Sequence, residues 1–172
     1  MGRRRKRVLR RTLLAVGEGH TEIAFLKHLR SIYCTGGNRS ARGPKVTIRN
    51  AHGKGPEHIL NTALVHQKQA DYDSTIILLD TDIPWPNNFK RDAKKCNVFV
   101  IGSQPCIEAV FLAILNIKVP KSTKECERAA ANYLGYDLTE PASYVSWCTK
   151  SKLEKAKQSN STLRNLIQYY KQ

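Results

Sequence analysis

Thr75-Ile76-Ile77-Leu78-Leu79-Asp80-Thr81-Asp82 is the stretch on which the reading of this chain turns. Its first five residues are β-branched or leucine and show no polar alternation, which predicts a strand buried on both faces. Strands of that kind belong to parallel sheets covered by helices on each side. The run stops abruptly at two aspartates separated by one threonine. Upstream, Ile59, Leu60, Ala63 and Leu64 form one helical face behind the turn Gly53-Lys54-Gly55-Pro56, with Pro56 at a favoured helix start. Before that turn, Val46-Thr47-Ile48-Arg49 alternates as a strand, and residues 35–45 are a Gly/Ser/Arg-rich loop. Near the start, Arg11-Thr12-Leu13-Leu14-Ala15-Val16-Gly17 is another apolar run. Glu18-Gly19-His20 turns the chain, and Thr21 is predicted to cap a helix from Glu22 that carries Phe25, Leu26, Leu29, Ile32 and Tyr33 on one face.

Downstream of Asp82 a Pro/Asn loop leads to a short helix over residues 89–95. Asn97-Val98-Phe99-Val100-Ile101 is a fourth strand, followed by a helix with Ile107, Val110, Phe111, Ile114 and Leu115 on one side. Strand and helix thus alternate through four rounds, which predicts an α/β fold: a Rossmann-like sheet of about four parallel strands with flanking helices. From Pro120 the character changes to Lys, Glu, Gln and Ala, with helical patches at 126–134, 152–157 and 163–170. The expected organisation is a basic N-terminal arm (1–11), an α/β domain (12–119) and a C-terminal helical extension (120–172) packed on that domain.

The charge balance narrows the partner. The 172 residues hold 29 Lys and Arg against 14 Asp and Glu, a net charge of +15, while 41% hydrophobic content is ordinary for a globular domain. Disordered, collagen-like and coiled-coil classes are excluded, and a polyanion such as nucleic acid is favoured as partner. Arg3, Arg4, Arg5, Lys6 and Arg7 in the arm, with Lys54 in a glycine-flanked turn, are the expected nucleic-acid contacts. No run approaches the roughly 20 apolar residues of a membrane span. The apolar run behind the arm is too short for a signal peptide, and Lys6 stands where a myristoylation signal has Ser or Thr. Five cysteines without a C-x-x-C pair read as free thiols in a reducing cytoplasm and argue against zinc.

With so few acids, their placement carries information. Glu18 ends the first strand, Asp80 and Asp82 end the third, and Glu22 and Glu108 lie in the first turns of two helices. All five fall at the carboxyl ends of strands, where open α/β sheets bind ligands. Carboxylates about 4 Å apart repel by roughly 4 kcal/mol at an effective dielectric near 20, so such a group holds protons or a cation. An all-oxygen donor set suits Mg²⁺ or Mn²⁺. Glu18, Asp80 and Asp82 are the expected catalytic residues, and Glu18, Glu22, Asp80, Asp82 and Glu108 the expected metal ligands. The plainer roles are helix-dipole acids for Glu22 and Glu108, a turn-capping pair for Asp80 and Asp82, a solvent-facing or backbone-bonded His20, and a small buried Cys106 at a helix start. Asp71 and Asp73 precede their strand, at the wrong end of the sheet. Tyr144, Trp147, Tyr169 and Tyr170 offer base-stacking rings, although aromatics in a helical tail more often pack.

Other readings of the motifs fail. Gly17-Glu18-Gly19-His20-Thr21-Glu22 lacks the third glycine of a dinucleotide fingerprint, and its acids would repel a pyrophosphate. No G-x-x-x-x-G-K-[ST], G-x-S-x-G or H-E-x-x-H is present. Asp-x-Asp phosphatases place their motif after the first strand, whereas here it follows the third and Pro84 stands two places on.

Leu14-Ala15-Val16-Gly17-Glu18-Gly19-His20-Thr21-Glu22 resembles the first motif of TOPRIM domains of the OLD-nuclease and RloB-like kind. Leu79-Asp80-Thr81-Asp82 resembles their D-x-D motif. Ser103-Gln104-Pro105-Cys106-Ile107-Glu108 is similar to the S-N-P-C-F-E signature of RloB-like proteins, and Asn160-Ser161-Thr162-Leu163-Arg164-Asn165-Leu166-Ile167 to their closing segment. Gln104, Ile107 and Asn160 depart from the pattern and leave the acids intact. The resemblance implies a TOPRIM-like sheet with the first and third strands adjacent, Glu18 in acid–base work or metal binding, and Asp80 and Asp82 holding Mg²⁺. It implies Glu22 and Glu108 as further ligands. It also implies a nuclease of DNA or RNA in anti-phage defence, beside an ATPase partner of the RloA/OLD kind, and by analogy an oligomer. The alternatives are a catalytically silent TOPRIM module that binds nucleic acid or an ATPase, and a phosphatase acting on small esters.

Overall fold

The computed structural model describes residues 9–35, 43–135 and 137–172. Four strands, β1 (Thr12–Gly17), β2 (Lys45–Asn50), β3 (Ser74–Asp80) and β4 (Val98–Ser103), form one sheet in the order β2-β1-β3-β4, with every pair parallel. Helices α1 (His20–Cys34), α2 (Gly55–Gln69), α3 (Phe89–Lys95) and α4 (Ile107–Ile114) follow the strands in turn. The chain closes with α5 (Thr123–Leu134), a 3₁₀ turn (Pro141–Tyr144), α6 (Lys150–Ala156) and α7 (Ser161–Tyr170). The fold is the α/β class expected from the alternation of apolar runs.

Successive residues of β1 and β3 serve opposite faces, which explains why both strands are apolar throughout. Leu13, Ala15, Ile76 and Leu78 pack with α1, α4 and the C-terminal helices. Leu14, Val16, Ile77 and Leu79 pack with Ile59 and Ala63 of α2 and Phe89 and Ala93 of α3. The C-terminal helices belong to the same core as the sheet: Tyr144, Leu163, Leu166 and Tyr170 are fully buried within it. Phe25, Phe111, Tyr144 and Trp147 form a ring cluster, with Phe111 5.3 Å from Phe25 and 5.6 Å from Trp147 between centroids. Removing a buried ring of this kind costs about 3–5 kcal/mol. Tyr144, Trp147 and Tyr170 are therefore packing residues and not bases' stacking partners, and Tyr169 leans on Phe99 at 5.5 Å.

Two local boundaries differ from expectation. Helix α1 begins at His20, not Glu22, and its N-cap is Gly19, not Thr21. Gly19 has no side chain to cap with; the Glu22 carboxylate reaches back and accepts the Gly19 N–H at 3.0 Å. The helix also lies close against the end of β1. A Cβ on Gly17 would stand 2.9 Å from the Glu22 Cβ, so the approach requires glycine there. Strand β4 starts at Val98 because Asn97 takes a left-handed conformation (φ 58°), and it continues to Ser103.

Candidate active site

Adjacency of β1 and β3 sets the site. Glu18 leaves the end of β1 and Asp80 ends β3, and the Asp80 N–H donates to the Glu18 carboxylate at 3.4 Å. The Glu18 N–H in turn donates to the Leu78 carbonyl at 3.1 Å, so parallel pairing continues one step past the strand. Asp80 shares its face of β3 with Ile76 and Leu78, the side covered by α1 and α4. That side also bears Glu22, 6% exposed on α1, and Glu108, half-buried in the first turn of α4. Asp82 is exposed at the mouth, its carboxylate accepting the Ile83 N–H at 2.8 Å.

The acids feel one another. Burial, then the charges of Glu22, Glu108, Asp82 and Glu18, raise the Asp80 carboxyl to about 9. Burial raises Glu18, with Asp82 adding to it and the Asp80 N–H opposing. Burial also raises Glu22, and Glu108 and Glu18 reinforce that against backbone N–H bonds that include Gly19. All five residues singled out in the sequence therefore belong to one electrostatic neighbourhood. Glu22 holds a second role as well, since it caps α1.

Asp80 Oδ1 is buried with no hydrogen-bond partner among the described residues. A buried carboxylate oxygen left alone is costly, and calls for a proton, a water or a cation. Among the described residues no three His, Cys, Asp or Glu side chains stand together as a ready-made metal cage. Mg²⁺ does not require one, because it typically takes one or two carboxylates and completes its shell with water and substrate oxygens. The donor chemistry of Asp80, Glu18 and Asp82 suits that ion.

Two neighbours take roles that the motifs do not mark: Trp85, and Ser103, which opens the Ser103–Glu108 signature. Ser103 is the register partner of Asp80 across β3 and β4, and its fully buried hydroxyl is also unpartnered among the described residues. Its carbonyl accepts the Thr81 N–H at 3.0 Å and the Thr81 hydroxyl at 3.1 Å, which fixes the middle of the Asp-x-Asp turn. Trp85 donates its indole N–H to the Asp80 carbonyl at 2.9 Å and packs over Gly102, where a Cβ would lie 2.7 Å from the ring. Glycine at 102 and tryptophan at 85 are a matched pair whose only sequence signal was the small residue at the end of a strand.

Other expected residues fall as follows. Arg3, Arg4, Arg5, Lys6 and Arg7 lie outside the described residues. Lys54 is exposed in the loop between β2 and α2. Arg10, read as part of a solvated arm, instead bonds the carbonyls of Cys34, Gly43 and Pro44. Cys106 is the buried N-cap of α4, and burial pushes its thiol well up, away from nucleophilic use. Asp73 sits at the opposite end of the sheet and accepts the Thr12 N–H and hydroxyl at 2.7 and 2.9 Å, a structural staple. A groove of about 510 Å³ at that same far end is lined by Gln67, Tyr72, Asp73, Asn97 and Phe99 and is remote from the acids. Among the described residues no helix is long and apolar enough to cross a membrane.

Compared with family models, with curated proteins and with solved structures, the chain matches none.

Proposed function

We propose that this protein is a metal-dependent phosphodiesterase that cleaves DNA or RNA, with Glu18, Asp80 and Asp82 as its catalytic acids. The observation that carries the reading is Asp80: a half-buried carboxylate with one orphaned oxygen, under the charge of four further acids, in a protein of charge +15. An acid cluster is a poor anion site unless a cation offsets it, while the surface charge favours a polyanion. Asp80, with Glu18 and Asp82 beside it, would hold Mg²⁺ or Mn²⁺, and Glu22 and Glu108 would complete the negative field. A bound ion supplies Lewis acidity toward a phosphoryl oxygen. Glu18, whose carboxyl is raised by burial, would serve as proton acceptor beside Asp80. Trp85 and Ser103 fix the backbone that presents Asp80.

The likeness of the three acidic motifs to RloB-like and OLD-type TOPRIM proteins supports the same chemistry. It extends the proposal to a role in anti-phage defence beside an ATPase partner, in the cytoplasm. The test incubates the purified protein, alone and with such an ATPase, with plasmid, single-stranded DNA and total RNA in Mg²⁺, Mn²⁺ or EDTA. Cleavage that disappears with EDTA and with Asp80→Ala supports the proposal. Cleavage that survives Asp80→Ala refutes it, and salt-sensitive binding without any turnover points to the silent module instead.

A further inference from the structure

Five acids beside a scissile phosphate leave open what attracts the phosphate. The loops next to Glu18 answer with basic and N–H-bearing side chains. His20, directly after the Glu18-Gly19 turn, and His52, two residues past the end of β2, are both exposed and meet edge to face with ring centroids 6.0 Å apart. Lys54 follows two residues later and is exposed too. Two hydrogen bonds hold this loop to the acid-bearing turn: Ala51 N–H donates to the Gly17 carbonyl at 2.9 Å and Gly53 N–H to the Glu18 carbonyl at 2.8 Å. Within the loop, His52 N–H donates to the Asn50 side chain at 2.8 Å. The imidazole pair therefore stands at a fixed place relative to Glu18.

The backbone adds a second argument. His52, Gly53, Lys54 and Gly55 all have positive φ, at 59°, 76°, 73° and 81°. Glycine occupies two of the four positions; histidine and lysine occupy the other two, where a Cβ is strained. Neither side chain has a hydrogen-bonding partner among the described residues that would explain its retention there. Strain kept at a cleft edge is a pointer to use.

We infer that His20, His52 and Lys54 form an anion-binding rim that receives a backbone phosphate of the polynucleotide beside the acid pocket. This inference rests on the nuclease reading and assigns the substrate side of the same site. Each imidazole offers an N–H donor and Lys54 an ammonium group, so the rim combines hydrogen bonding with charge. None of its three side chains is among the proposed metal ligands.

The experiment follows a dye-labelled single-stranded oligonucleotide, as DNA and as RNA, by fluorescence anisotropy over a KCl series in EDTA, and then its cleavage in Mn²⁺. The variants are His20→Gln, His52→Gly and Lys54→Gly, singly and together, with Lys124→Gln on α5 as a remote control. The triple variant is expected to bind roughly fivefold or more weakly, with a salt slope shallower by about 0.7 for each lost phosphate contact. Its cleavage should show a raised KM at little-changed kcat. Glycine at 52 and 54 relieves the backbone, so Tm should hold or rise while binding falls, which a merely structural role would not produce. Wild-type affinity and slope in the triple variant, in a preparation whose wild type cleaves, overturn the rim and leave the nuclease reading standing. A wild type that neither binds nor cleaves overturns both.

Discussion

The Asp80 N–H donates to the Glu18 carboxylate at 3.4 Å across 62 residues of sequence. That bond exists because β1 and β3 are neighbours in a sheet whose order departs from chain order. A topological rule thus becomes a chemical one: the crossover delivers the end of the first strand to the end of the third. Four charges then bear on Asp80, and the protein carries them at a cost to its own stability.

Asp80→Asn is therefore expected to stabilise the metal-free protein. The Asp80 carboxyl is raised from an ordinary 3.8 to about 9, so between these values the folded state holds a proton that the unfolded state has released. Stability of the metal-free wild type falls as pH rises through that window, and is indifferent to this group below it. At neutral pH, about three units above the ordinary value, the gain in the variant is at most roughly 4 kcal/mol, since each pH unit counts about 1.4 kcal/mol. Thermal melts in EDTA across the window check this; a variant that melts below wild type at neutral pH contradicts it.

Glu154 gives the opposite pH dependence at the other end of α1. Burial works to raise its carboxyl, but hydrogen bonds from Lys157, Lys171 and Tyr33, at 2.5, 2.6 and 2.9 Å, outweigh it and hold the group at about 2. Its stabilisation is complete above the ordinary value of 4.5 and is lost as pH falls through about 2. Glu154→Gln should cost about 1 kcal/mol at neutral pH, a value kept small because the group is partly solvated. Circular-dichroism melts of the pair should converge in strong acid; a constant gap at every pH would count against the assignment.

Gly102→Ala tests the support beneath Asp80. The new methyl would enter the Trp85 ring and the Thr81 methyl, at 2.7 and 2.8 Å. Trp85 must move, and its bond to the Asp80 carbonyl goes with it. Overpacking of this sort costs typically 1–3 kcal/mol. The expected signature is an altered tryptophan emission together with weaker metal binding. An unchanged spectrum with unchanged metal binding would show that the indole does not position Asp80.

Much of this was legible from residue order alone. Uninterrupted apolar runs at 75–79 and 12–17 announced doubly covered strands, and acids stood out at their ends because acids are scarce in this chain. The start of α1 was misplaced because a glycine N-cap leaves no side-chain signal, while Thr21 imitates one. The roles of Trp85, Ser103 and Arg10 are not legible in residue order, because they depend on partners 17 or more residues away or on buried carbonyls, which periodicity does not encode. The 3₁₀ turn at Pro141–Tyr144 is too short to show a period at all, yet it delivers the fully buried tyrosine of the ring cluster.

Titration calorimetry of Mn²⁺ into the chelator-stripped protein, wild type beside Asp80→Asn, asks whether the acids bind a divalent ion at all. Wild type should take up Mn²⁺ saturably, with proton release as the raised carboxyls ionise, and Asp80→Asn should lose that uptake. Equal uptake by the two proteins, or none by the wild type, would contradict the metal-site proposal.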